Sequence, residues 1–511
     1  VKLPEYGLAL CALGLEKVCR NEIERIGLAV EGKEAGRVRF ALGPSGGASG
    51  GAEAGTVSPT VSPTVSPTVS PTVSPTAPPT VSPAATVSGA AALMRANLCL
   101  RSAERVLIEA GRFHAENFDE LFESVRALPW ELYFRRDDRL VIERVRLHDS
   151  KLAAQTSVQS VVHKAVYDRL GKVYNLSRLP ENGQERSLRV YIDSDRCLLG
   201  LDSSGDALHK RGYRRSTGEA PLKETIAAGV LYLAGWSRRS PLLDPFCGTG
   251  TVAVEAALFA MDRAPGLGRA FALESFPFSL EGGGRSVSDE IEAAKARVRR
   301  DADFRIVASD ADPRALEAAR ANAARAGVAA GIEFRKAKAE DAVPPYESGH
   351  LICNPPYGER MGSVEEAEAL YKRLGETASR FTGWGLGFVT NRFDFGDFFG
   401  RYAPTAKLIV NGAEEQWFHW YPAGSENVTG RRPNAGQARS EGSRPRPERS
   451  RKPEGSRPRP EGSRRTWVGP DKPGWRSDEA RPEGSRARPE GSRSAFTDRS
   501  LKAGPRRGRK D

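Results

Sequence analysis

Between residues 221 and 421 short apolar runs alternate with stretches of helical spacing, and no other feature of the chain narrows its fold so far. Strands separated by helices at this interval belong to a parallel sheet wound with helices on both faces. The pattern predicts helices over 223–233, 250–261, 313–326 and 370–381, and strands over 241–245, 305–309, 332–335, 350–353 and 384–390. Two further strands, 406–411 and 416–421, follow each other without a helix and predict an antiparallel edge. In an open sheet of this kind ligands bind beyond the carboxyl ends of the strands. The residues at those ends are therefore the candidates for chemistry.

Two strand ends stand out. The first strand runs into Asp244-Pro-Phe-Cys-Gly-Thr-Gly250, where Gly248 and Gly250 let backbone pass close to a ligand before a helix of small residues begins. Nicotinamide and flavin enzymes also use such a turn, but their acidic ribose ligand falls about 20 residues on. Here the next strand-terminal acid is Asp310, 60 positions after Gly250, and no Walker lysine follows the glycines. Asp310 is placed to accept from two ribose hydroxyls, and Asp312 to cap the helix opened by Pro313. Asp244, with Phe246 in the same turn, is expected at the amino-acid end of a methionine-derived cofactor, directly or through water, or else merely orders the turn. The second end is Asn354-Pro355-Pro356-Tyr357. An Asn amide oxygen and a proline carbonyl are two acceptors for an NH2 group. The prolines stiffen the loop, and Tyr357 offers an aromatic face to a base. A structural Pro-Pro turn would look the same in isolation. Beside the glycine turn the set predicts methyl transfer to an exocyclic amine.

The first 40 residues read strand, helix, strand, over 6–13, 16–26 and 37–42. Five copies of Val-Ser-Pro-Thr at 57–76 then interrupt the unit, and proline at every fourth residue is incompatible with helix or sheet ladders. Such an insertion is tolerated at little closure cost, with or without a role. The unit resumes over 90–112, where Leu93, Ala96, Leu100, Ala103 and Val106 keep helical spacing before a strand. A helix over 118–127, a strand over 140–146, a helix over 157–170 and strands over 188–192 and 197–202 make a compact α+β module. It ends in Leu208-His-Lys-Arg-Gly-Tyr-Arg-Arg215, the densest basic run before the tail. Lys210, Arg211, Arg214 and Arg215 there are either a solvated hinge or a set of RNA phosphate contacts.

Charge is unevenly placed. Of the net +12, residues 431–511 hold 24 Lys and Arg against 11 Asp and Glu, leaving 53 basic and 54 acidic groups before them. Beyond residue 424 the chain repeats Glu-Gly-Ser-Arg at 441, 454, 461, 483 and 490, usually beside Arg-Pro. Such a composition buries too little apolar surface to order itself, so a disordered tail is expected. Non-specific attraction to RNA, with Trp467 and Trp475 as stacking groups, or simple solubility would account for it. The six cysteines have no metal-binding spacing and read as reduced thiols of a cytoplasmic protein. The apolar run 8–15 is followed at once by charge and no cleavage site, and no segment has the length of a membrane span.

With these residues in view the chain resembles the THUMP-domain S-adenosylmethionine-dependent methyltransferases that make N2-methylguanine in 23S rRNA. The resemblance rests on Arg95-Ala-Asn-Leu-Cys-Leu-Arg101, Leu208-His-Lys-Arg-Gly-Tyr-Arg214, Ala220-Pro-Leu-Lys-Glu-Thr225, the Asp244–Gly250 turn, Ala264-Pro-Gly-Leu-Gly268, Ser309-Asp-Ala-Asp-Pro313 and Asn354-Pro-Pro-Tyr-Gly-Glu-Arg360. It implies an α/β chain: a ferredoxin-like unit over 1–112 with its insert at about 43–89, a THUMP RNA-binding domain over 113–205, a Rossmann-like class I methyltransferase sheet over 206–423, and the tail. S-adenosyl-L-methionine is the implied cofactor and ribosomal RNA the implied partner, with neither DNA nor membrane. The family usually places an acid near the cofactor adenine where this chain has Lys338, and Asp341, three residues on, is the candidate to replace it. Guanine in tRNA or adenine N6 would suit the same tetrapeptide, and a non-catalytic RNA-binding assembly factor would share the tail.

Overall fold

The computed structural model describes residues 4–43, 89–215, 222–280, 286–356, 363–425, 428 and 430–433. The Val-Ser-Pro-Thr insert, Tyr357 and the arginine-rich tail beyond 433 lie outside the described residues. Two seven-stranded mixed sheets carry the architecture.

The first sheet is built from β1 (Tyr6–Cys11), β2 (Val30–Glu34), β3 (Arg37–Ala41), β4 (Ala103–His114), β5 (Arg139–His148), β6 (Glu185–Asp193) and β7 (Arg196–Asp202), in the order β2-β3-β1-β4-β7-β6-β5. Only β5 and β6 are parallel. β4 pairs with β1 on one side and β7 on the other, so one sheet runs across the division that the sequence places at 112. The helices Glu16–Arg25, Gly89–Cys99, Phe118–Ala127 and Gln155–Tyr174 contribute Ile23, Leu93, Leu121 and Val162 to its core. The helical spacing read through Ala103 and Val106 is corrected here: the helix ends at Cys99 and both residues lie in β4. Val106, Leu107 and Ile108 are all buried, so this central strand is covered on both faces and its continuous apolar run imitates a helix.

The second sheet holds β8 (Leu242–Asp244), β9 (Ile306–Asp310), β10 (Ile332–Lys336), β11 (Gly349–Cys353), β12 (Trp384–Thr390), β13 (Thr405–Asn411) and β14 (Glu414–Tyr421), in the order β10-β9-β8-β11-β12-β14-β13. β8 to β12 are parallel, and β14 runs antiparallel to both β12 and β13. Separate apolar clusters cover its two faces. From β8 the chain steps outward through β9 to β10 and then returns to lay β11 on the other side of β8, which places a topological switch point between β8 and β11. Sequence reading passes over β2, the ten-residue helix Val287–Ala296 and the short helices Pro277–Leu280 and Phe395–Phe399. Among the described residues no helix is long and apolar enough to cross a membrane.

Buried charge ties the first sheet to the segment between β8 and β9. Arg186 of β6 and Asp138 are each 1% exposed and paired at 2.9 Å, and the same guanidinium donates to the Ser275 hydroxyl at 2.7 Å and carbonyl at 2.9 Å. Removing one member strands the other without compensation. Arg186→Met should therefore destabilise the protein by about 3–5 kcal/mol, measured as a shift of the urea midpoint, whereas the solvent-exposed Arg139→Met should cost under about 1 kcal/mol.

Candidate active site

Three acceptor-bearing residues meet at the carboxyl edge of the second sheet: Asp244 ends β8, Asp310 ends β9, and Asn354 follows β11. The turn after β8 needs glycine, since Gly248 has φ +50° and Gly250 φ +85°, and a Cβ at Gly250 would lie 3.0 Å from that of Ala319. Helix Thr251–Ala260 starts directly behind it. The Asp310 carboxylate ties this turn to β9: one oxygen accepts from the Gly248 N–H and the other from the Asp312 N–H, both at 2.9 Å. Asn322 donates to the Thr249 carbonyl at 2.9 Å. Asp312 is the N-cap of helix Pro313–Ala326, accepting from the Arg314 N–H, with proline in the first turn. That function leaves Asp310 as the strand-end acid on the turn.

Asp244 is 1% exposed. Burial drives its carboxyl well above the usual carboxylate range and the nearby Asp310 adds to this, while the Phe246 N–H, donating at 3.3 Å, opposes it. Phe246 itself is half-buried against the cluster that contains Leu351 and Tyr371. Asp341 closes the short 3-10 turn Ala339–Asp341 beyond β10 and is exposed, as is Lys338.

Asn354 is half-buried and Pro355 buried. The Asn354 Oδ1 is fully enclosed and has no hydrogen-bond partner among the described residues. A buried acceptor left unsatisfied costs about 1–3 kcal/mol, so such an oxygen calls for a partner, ligand or water. The loop around it is braced: the Tyr371 hydroxyl reaches the Pro356 carbonyl at 3.5 Å. Arg392, in the loop after β12, binds Asp394 through two bonds of 2.8 Å and Glu368 at 2.9 Å, so that it ties this loop to helix Val364–Ala378. Glu368 and Arg392 are 24 residues apart with no motif between them, and only the fold reveals the pair.

The basic run does not form one surface. Arg211 is 8% exposed and spends its donors on the Leu208 and Arg101 carbonyls, 3.6 Å from Glu255. Arg214 donates to the Thr251 hydroxyl at 2.5 Å and faces Glu224 at 3.4 Å. Both therefore serve the junction rather than a solvent-facing phosphate site. Lys210, paired with Asp206, and Arg215 are exposed.

A seven-stranded sheet with reversed last strands, a glycine turn at its switch point and a strand-end Asn-Pro-Pro define a methyltransferase-like α/β domain. Comparisons agree: the family described as RMKL-like, methyltransferase domain, matches residues 211–414, and the THUMP domain matches 115–202. The Bacillus subtilis protein named "Putative RNA methyltransferase YpsC" is 34% identical over 336 residues, which cover 65% of this chain and 86% of that protein. The "Ribosomal RNA large subunit methyltransferase K/L" of Syntrophotalea carbinolica is 38% identical over 336 residues, 62% of this chain but 46% of that protein, so the chain spans less than half the length of this second relative. The crystal structure of SMU.472, "a putative methyltransferase complexed with SAH", is 30% identical with a TM-score of 0.67, covering 83% of this chain and 99% of that one. The chain belongs to the family of methyltransferases that join a THUMP domain to an RMKL-like catalytic domain.

An S-adenosylmethionine-type cofactor suits the residues present. The turn leaves open space at Gly248 that a Cβ would enter, and Asp310 retains free lone pairs for ribose hydroxyls. Gly250→Ala, strained at its φ of +85° and crowded by Ala319, should destabilise the protein by about 1–2 kcal/mol of left-handed backbone strain. A shift of the urea midpoint measures it.

Proposed function

We propose that this chain methylates an exocyclic amine of RNA, with guanine N2 in 23S ribosomal RNA as the target and S-adenosyl-L-methionine as the donor. On this reading β1–β4 with the helices Glu16–Arg25 and Gly89–Cys99 are the ferredoxin-like unit, and the module over β5–β7 with helices Phe118–Ala127 and Gln155–Tyr174 takes up RNA in the cytoplasm. The orphaned Asn354 Oδ1 carries the proposal, because it is an acceptor held ready for a donor that the described chain does not supply.

The donor supplies an electrophilic methyl group when bound. Asp310 would hold its ribose, Asp244 and Phe246 its amino-acid end, the turn at Gly248 and Gly250 its approach, and Asp341 its adenine. Asn354 Oδ1 and the Pro355 carbonyl would accept the two N–H bonds of the target amine, pinning the nitrogen and favouring its pyramidalisation. Pro356 keeps that loop stiff, and Tyr357 would stack on the base. A paired base cannot reach an acceptor buried at a strand tip, so the target is extruded or single-stranded. Lys210 and Arg215, exposed at the junction, are left as phosphate contacts. Alignment then supplies most of the acceleration, and the nitrogen's proton, acidic after transfer, leaves without a strong base.

Asn354→Ala should lower tritium transfer from labelled cofactor to ribosomal RNA about 10²–10³-fold, the usual loss of one preorganised hydrogen-bonding group, with cofactor affinity unchanged. Full labelling by the variant would remove Asn354 from the chemistry.

Asp244 gives a pH signature. Its carboxyl holds a proton beyond the ordinary carboxylate range and must release it to face the donor's ammonium group. Affinity for S-adenosylmethionine should therefore rise with pH through the Asp244 titration and become flat in Asp244→Asn. A calorimetric pH series on both proteins checks it.

A further inference from the structure

The first sheet has two unlike faces. Its apolar face, with Ala9, Val38, Ile108, Val190 and Leu199, packs against the helices Glu16–Arg25, Gly89–Cys99, Phe118–Ala127 and Gln155–Tyr174. Side chains alternate across a strand, and the registers line up the residues of the other face: Arg39 opposes Leu8, Leu8 opposes Leu107, Arg112 opposes Leu198 and Leu198 opposes Tyr191. Among the described residues no helix covers this second face. Leu8, Leu107 and Leu198 form a small buried cluster there with Leu10 and Tyr191, all of them strand residues.

What covers the leucines is arginine. The sheet curls so far that the Arg37 guanidinium of β3 lies 4.6 Å from the centre of the Tyr191 ring on β6, with three strands between them in the sheet order. Arg39 stacks 3.3 Å from the centre of the Tyr6 ring and binds Glu109 through two bonds of 2.9 Å. Arg112 spans Glu109 at 3.2 Å and Glu34 at 3.4 Å, and Glu143 sits between Arg189 at 2.9 Å and Arg105 at 3.7 Å. The apolar stems of these side chains bury the cluster. A cavity of about 240 Å³ remains beside it, with Leu8, Glu31, Glu34, Arg37, Arg39 and Arg112 in its lining.

Three further arginines of this face stand outside the network. Arg144 and Arg146 of β5 oppose Arg189 and Tyr191 of β6, and Arg196 opposes His114 at the start of β7. All three are exposed, and none has an ion pair among the described residues. Asp193 beside them faces His148 at 3.1 Å, and Glu109 and Glu143 are each held by two guanidiniums. The charge left over at the β5–β7 end of the face is therefore positive.

Resting on the RNA reading above, we infer that this curled arginine face cradles the phosphate backbone of the RNA, with Arg144, Arg146 and Arg196 as its phosphate contacts. A polyanion satisfies the three cations together, and guanidiniums already stacked on tyrosine or locked to carboxylates give it a stiff floor. Phosphate contacts place a nucleic acid without reading its bases, which leaves the choice of nucleotide to the strand tip at Asn354.

The test places the photo-crosslinking residue p-benzoylphenylalanine in the full chain at position 148, on this face and 79% exposed, or at position 173, 43% exposed on the helix Gln155–Tyr174 that covers the opposite face. A labelled ribosomal RNA fragment is crosslinked to each, with and without the triple change Arg144→Gln, Arg146→Gln and Arg196→Gln. The inference expects crosslinking at 148 to exceed that at 173 about five-fold or more and to fall by about as much in the triple variant, with the salt slope of RNA affinity reduced by about two. Arg20→Gln, Arg239→Gln and Arg300→Gln together remove the same charge from exposed arginines off this face, and should leave the 148 crosslink within about two-fold. Equal crosslinking at the two positions, a 148 crosslink that survives the triple change, or its equal loss in the control overturns the inference. So does self-association of the unchanged chain in sedimentation that the triple variant abolishes, since the face then belongs to a second copy. Tritium transfer is scored separately: its absence with the face-dependent crosslink retained removes the proposed activity and leaves the RNA cradle standing.

Discussion

The reversal of strand order between β8 and β11 is the constraint from which the candidate site follows. Connections leaving the carboxyl ends of these neighbouring strands diverge, and a crevice opens that neither strand's own helix can fill. Asp244, buried, ends one of these two strands and Asn354 follows the other, with Asp310 one strand farther along. The glycine turn is a consequence of the same reversal. Helix Thr251–Ala260 must start immediately behind β8 and pack against helix Pro313–Ala326, and at Gly250 that contact leaves no space for a side chain beside Ala319.

A second layer of organisation lies at the junction of the two sheets, and it is built from charged side chains bonded to polar partners. Glu22 accepts from the backbone N–H groups of Arg101 and Ser102, both at 2.9 Å, while Arg101 reaches across to the Arg263 carbonyl at 2.8 Å. Glu104 gathers His209 at 2.8 Å, the Thr225 hydroxyl and the Asn411 amide at 3.3 Å. Arg95 meets Glu290 at 2.6 Å. Buried pairs of this kind contribute little net stability relative to apolar packing, but they penalise any geometry that separates the partners. Their effect here is orientational. They tie the amino-terminal sheet to the start of helix Glu224–Leu233, to the segment after helix Thr251–Ala260 and to the end of β13.

This junction also explains which parts of the chain were legible in its sequence. The strands of the second sheet are apolar runs with unambiguous neighbours, so 384–390 and 313–326 are read at their true bounds, and the strand-end positions of Asp244, Asp310 and Asn354 follow. β4 is misread because burial on both faces erases the period-two alternation that marks a strand. The run 208–215 is legible as charge but not as placement. Arg211 and Arg214 look like surface residues until Glu255, Glu224 and Thr251, 10 to 44 positions away, are brought against them. Arg392 with Glu368 is illegible for the same reason: ion pairs formed across a fold have no spacing rule.

The unsatisfied Asn354 oxygen gains meaning from what surrounds it. An asparagine on a flexible loop would relax its buried acceptor toward water or a neighbouring N–H, recovering the cost of about 1–3 kcal/mol. Here Pro355 and Pro356 remove two nearby backbone donors and fix two φ angles, while Tyr371 and the Arg392–Glu368 tie brace the flanking segments. Among the described residues the acceptor thus stays open to a ligand that presents an N–H at the strand tip, as the proposed reading requires. On that reading a group so held would need no reorganisation when charge develops on the bound nitrogen, the condition under which a hydrogen-bond acceptor contributes to rate as well as to binding.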